Sequence, residues 1–126
     1  MKLRHLFAIN LVIAIFFGLT CSLFPRQLFQ LYGLGLDEAG VWVTRLVGGS
    51  ILGFATLMWF GRRTTSVEAR RAIAMALLVQ HAIGLVASME IQLGGAMGPT
   101  GWSNPALYLL LAFGYAYFLF IKPLDA

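Results

Sequence analysis

Four apolar runs, at residues 6–24, 41–60, 72–91 and 105–121, constrain this chain more than any other feature. Each approaches the ~20 residues that an α-helix needs to cross a ~30 Å hydrocarbon layer. Lipid offers the backbone no water, so every run must satisfy its own N–H and C=O groups. The runs lack the polar–apolar alternation of an outer-membrane barrel strand, which leaves the helix. The expected fold is an all-α membrane protein: one domain over residues 1–126, a four-transmembrane-helix bundle with a short interfacial segment after the first helix. Composition agrees. With 60% hydrophobic and 11% charged residues, against about a quarter charged in soluble proteins, the chain has too little polar surface to coat a globule in water.

The placement of charge predicts orientation. Lys2 and Arg4 precede the first run, Arg62, Arg63, Arg70 and Arg71 lie between the second and third, and Lys122 follows the fourth. An even number of spans puts all of these on one side, whereas the opposite loops hold Arg26 beside Asp37 and Glu38. Positive charge stays inside, so both termini are expected in the cytoplasm, N-in and C-in. The net charge of +4 is then topogenic, with a further attraction of the 62–71 loop for anionic headgroups, and implies no nucleic-acid partner. The first run is rather long for a signal-peptide core, and no small-x-small cleavage site follows it. "GLTC" is a poor lipobox, so the first helix is expected to stay attached. Cys21, the only cysteine, can form no internal disulfide.

The connections carry readable punctuation. In "PRQLFQLYGLGLDEAG", Pro25 opens a short helix whose Leu28, Leu31 and Tyr32 are expected to face lipid, until Gly33 and Gly35 break it. Asp37 reads as the N-cap of the second span, with Glu38 in its positive first turn. Between the second and third spans the short "GRRTTSVEARR" predicts an antiparallel hairpin; Thr65 with Glu68 reads as a capping box, and the third helix begins near Ser66. Pro105 suits the first turn of the fourth helix. Trp42, Trp102 and Tyr108 are expected at the outer interface and Trp59 at the inner one. The aromatics of the first and fourth helices, among them Phe16, Phe113 and Tyr117, read as lipid contact and bundle packing.

Three sets of polar or small residues interrupt the apolar runs. Arg45 shares a helical stripe with Gly49, Gly53 and Thr56, and Gly49 with Gly53 forms a small-xxx-small pair suited to close helix packing. A guanidinium inside the boundary needs a partner or an escape to the interface. Glu90, at similar depth on the third helix, is the expected partner, in a structural pair joining the second and third helices; an anionic headgroup or substrate is the alternative. Gln80 and His81 fall near the midplane, where an ionisable group is a functional candidate. A hydrogen bond to Tyr115 satisfies His81 in the simplest reading. The alternatives are a haem or chlorophyll ligand, and proton or substrate handling. Met58, Met75 and Met89 do not match the depth of His81, and His5 lies at the membrane edge. Asn10 reads as polar packing. No zinc-ligand cluster, nucleotide loop, paired catalytic carboxylates, nucleophile elbow or pair of broken transporter helices occurs, so catalysis and a resident metal are not expected, and no particular cofactor is implied.

The block "LYGLGLDEAGVWVTRLVGGSILGFATLMWFGRR" resembles one found in small four-helix bacterial inner-membrane proteins of unknown function. They share a tyrosine–glycine turn, an acidic cap, an Arg-Leu-x-Gly helix start and an Arg-Arg stop. The resemblance implies a four-pass bundle and brings no activity with it. The leading functional expectation is a non-catalytic small integral subunit or scaffold. It would pack against a larger membrane complex, such as a respiratory or photosynthetic one, or self-associate, with membrane lipids around it. The alternatives are a small transporter or lipid-handling protein using Arg45, Glu90 and His81, and a pigment or haem carrier with His81 as ligand.

Overall fold

A computed structural model describes residues 1–122. Helices α1 (Leu3–Leu23), α2 (Pro25–Leu31), α3 (Glu38–Gly61), α4 (Val67–Leu93) and α5 (Ser103–Ala116) follow one another. A 3₁₀ turn, Pro99–Trp102, leads into α5, and a π-helical turn, Tyr117–Ile121, continues it. No strand occurs among the described residues. Four stretches are long and apolar enough to cross a membrane: Leu3–Leu23, Glu38–Gly61, Val67–Leu93 and Pro99–Ile121.

Local chemistry sets the boundaries. Asp37 accepts a hydrogen bond from the Gly40 N–H at 2.7 Å and caps α3. Ser66 caps α4, accepting from the Ala69 N–H at 3.2 Å; the cap is thus Ser66 itself, and the Thr65–Glu68 capping box does not form. Pro25 starts α2, and Gly33, at φ +79°, turns the chain out of it. A left-handed backbone of that kind favours glycine because it has no Cβ.

The bundle is two helical hairpins, spans one with two and three with four, rather than one hairpin of spans two and three. α1 packs along α3, and α4 along α5, whereas α3 and α4 touch only sparingly. Glycine permits both pairings. A Cβ on Gly48 would stand 2.8 Å from the Gly18 carbonyl oxygen and also collide with Ser22, and one on Gly84 would stand 2.5 Å from the Tyr108 ring. The close approach of α1 to α3 therefore runs through Gly18 and Gly48. Gly49 and Gly53, expected to do this, have no atom of another element within 4 Å of where a Cβ would lie.

The pairs converge at the end that carries Met1 and Lys122, where Lys122 Nζ reaches the Met1 carbonyl at 3.1 Å. There Leu3, Leu6, Phe7, Leu11, Ala55, Met58, Ala74, Leu77, Tyr115 and Phe118 form a closed core. Towards the other end the pairs separate, and α2 covers the gap. Leu28 and Tyr32 are buried against Cys21 there, while Leu31 is exposed. Two of the three residues expected to face lipid thus turn inward, because the space between the pairs gives them apolar surface to bury.

Candidate binding cavity

Where the pairs separate, they leave a partly open cavity of about 390 Å³, within the ~300–1,000 Å³ of small-molecule sites.

Its walls are mainly apolar: Ile13, Ala14 and Phe17 from α1, Val47, Ile51 and Phe54 from α3, and Leu107 and Leu111 from α5. Polar groups are fewer: Asn10, Gln80 and His81 towards the closed core, Tyr32 and Asn104 beneath α2, and Ser88 and Tyr108 besides. The inner group is tied into the core. Asn10 Nδ2 donates to the Tyr115 hydroxyl at 2.8 Å, and that hydroxyl in turn points at Met58 Sδ, 3.9 Å away. Tyr115 and Met58 are almost wholly buried. The polar packing expected of Asn10 is present, with Tyr115 as partner.

The His81 ring lies 5.7 Å from Tyr115 and 5.9 Å from Tyr108, centroid to centroid. The hydrogen bond expected between His81 and Tyr115 is replaced by another. His81 Nδ1 lies 2.6 Å from the Leu77 carbonyl oxygen, one turn back on α4. A carbonyl only accepts, so Nδ1 carries the proton and Nε2 presents a bare lone pair. Among the described residues Nε2 has no hydrogen-bond partner, although His81 is 5% exposed and lines the cavity. Met58 lines the same cavity, with Tyr115 in contact with both it and His81. Tyr108, expected in the interfacial belt, instead packs on Gly84 and His81. Trp42, Trp59 and Trp102 remain exposed, and the guanidinium of Arg62 stacks 4.2 Å from the Trp59 ring.

The end beneath α2 is laced shut. Tyr32 donates through its hydroxyl to Asn104 Oδ1 at 3.3 Å, its carbonyl accepts from the Gly98 N–H at 2.9 Å, and Thr100 donates to the Leu31 carbonyl. Burial pushes the Tyr32 phenol above its usual pKa, so it stays a neutral donor.

Arg45 and Glu90 lie outside this cavity. Both are exposed, and no ion pair joins them among the described residues. Helical phase explains the separation. At 100° per residue, Arg45 points about 200° round α3 from the cavity-lining Val47, and Glu90 stands half a turn round α4 from His81. Arg45 is also within two turns of the start of α3, near enough for its long side chain to reach the interface. No group of three or more His, Cys, Asp or Glu residues able to hold a metal ion occurs among the described residues.

Fold and site together define a class: an all-α protein with four helices fit to span a membrane, set in two pairs around a ligand-sized cavity. The chain belongs to the family described as a domain of unknown function, DUF8292, whose model matches residues 2–122. No curated protein and no solved structure matches it.

Proposed function

We propose that this chain is a non-catalytic integral membrane protein that binds a lipid-soluble small molecule between its two helix pairs. One observation carries the reading: the cavity of about 390 Å³, mainly apolar along its walls, with Asn10, Gln80 and His81 as hydrogen-bonding groups at its inner end. Such a lining suits an amphiphile with an apolar body and a small polar head. The concentration of Lys2, Arg4, Arg62, Arg63, Arg70, Arg71 and Lys122 at the terminal end supports a cytoplasmic placement of both termini, with the cavity in the opposite leaflet. The resemblance of the 31–63 block supports a bacterial inner membrane.

The test is purification from native membranes, followed by mass spectrometry of the organic extract, beside the variant Ala14→Phe, which fills the cavity. One lipid-soluble species is expected at near-stoichiometric amounts with the wild type and several-fold depleted in the variant. Bulk membrane lipids alone, in the same amounts with both proteins, would contradict the reading. A visible absorption band lost on replacing His81 would direct it to a pigment or haem.

A second reading, a small subunit of a larger membrane assembly, is favoured by a separate observation. Arg45, Gly49, Gly53 and Glu90 all lie on exposed faces with no partner among the described residues. Co-purification of another membrane protein at fixed stoichiometry tests it, and the two readings are compatible.

A further inference from the structure

We infer that the ligand carries a hydroxyl group, which docks on His81 and Gln80, and that it enters sideways from the bilayer through the gap between α3 and α4. The inference rests on the binding reading above and adds to it the head-group chemistry and the route.

The chemistry follows from what the inner end offers. His81 Nε2 accepts and cannot donate, because the ring's one proton is held by the Leu77 carbonyl. Gln80, its neighbour on α4, also lines the cavity, and its amide can donate. A hydroxyl answers both, giving its proton to Nε2 while its oxygen accepts from the amide. A ketone or ether can accept from Gln80 but leaves Nε2 unpaired, and a buried unpaired acceptor weakens binding. A carboxylate would bring an unpaired charge into an apolar space. Of these head groups only the hydroxyl of a lipid-soluble alcohol or phenol pairs with both side chains.

The route follows from which lining residues can be reached. Val47 and Ala87 are the exposed ones, and they lie on α3 and α4, the two long helices that follow one another in the chain yet barely touch. The seam between α1 and α5 is also sparse, but none of the lining residues on those helices is exposed, and the way beneath α2 is closed by the bonds from Tyr32, Gly98 and Thr100 and by buried Leu28. The terminal end is closed by the core. Lipid therefore has access where water does not.

The experiment uses the whole chain in phosphatidylcholine nanodiscs with two probes, a long-chain alcohol bearing a diazirine and its methyl ether. Photolabelled residues are mapped by mass spectrometry over concentration and time. The alcohol is expected to label the cavity lining saturably, at roughly tenfold lower concentration than the ether. His81→Leu should erase that preference, and His81→Gln, which keeps an acceptor, should retain part of it. Replacing both Val47 and Ala87 by Trp obstructs the gap from the lipid side and should slow labelling on the order of tenfold. Equal affinities for alcohol and ether in the wild type would overturn the hydroxyl assignment while leaving a binding cavity in place. An unchanged labelling rate in the Trp variant would overturn the lateral route. Failure of both probes to label the lining saturably would remove the binding reading itself.

Discussion

A histidine whose Nδ1–H is held by the carbonyl one turn back is a different chemical object from a free imidazole. The bond from His81 to Leu77 fixes both tautomer and ring orientation, and leaves one acceptor aimed by a rigid helix. Position alone marked His81 as a candidate, since a midplane ionisable group is rare. The tautomer was not legible, because it depends on which neighbour wins the ring, and Asn10 takes the Tyr115 hydroxyl first. Arg45 and Glu90 teach the complementary lesson. Their matched depth could be counted along the chain, but pairing also needs matched helical phase, and that depends on which helices become partners. A double-mutant cycle on Arg45→Ala and Glu90→Ala, read by thermal unfolding in detergent, should give an interaction within about 0.5 kcal/mol of zero. A coupling of several times that size would mean that the two side chains meet.

At the scale of elements, the turns and caps were the most legible part of the chain. Asp37, Pro25 and Gly33 act within a few residues of themselves, so their effects needed no knowledge of the fold. Helix contacts were less so. Gly48, Gly49 and Gly53 lie within six residues, and propensity cannot say which of them meets another backbone. The structure selects Gly48, against Gly18 and Ser22. Gly48→Ala should therefore cost about 1–3 kcal/mol through overpacking of α1 on α3, whereas Gly49→Ala should stay within about 0.5 kcal/mol in the isolated chain. Equal losses in a thermal-shift assay would argue that the stripe bearing Gly49 is also an intramolecular contact. The α2 segment shows a similar limit. Its short amphipathic pattern was readable, but the side it presents inward is set by the gap it covers, which arises only when the pairs separate.

For the whole molecule, four helices fit to span a membrane were legible because a hydrocarbon layer forces helical runs of a fixed length. The pairing of α1 with α3 and α4 with α5 was not, because a short loop between α3 and α4 looks like an ordinary hairpin. That pairing creates the cavity. The helices converge on the core around Phe7, Leu77 and Tyr115, diverge beyond it, and are covered by α2. The central claim is that this space holds a molecule from the membrane. The most direct measurement is an experimental density map of the chain purified from native membranes in mild detergent. The account predicts continuous, non-protein density between the pairs, its inner end within hydrogen-bond distance of His81 Nε2. A map with α3 closed onto α4, and Phe54, Ile51 and Leu111 packed across the former cavity, would contradict it.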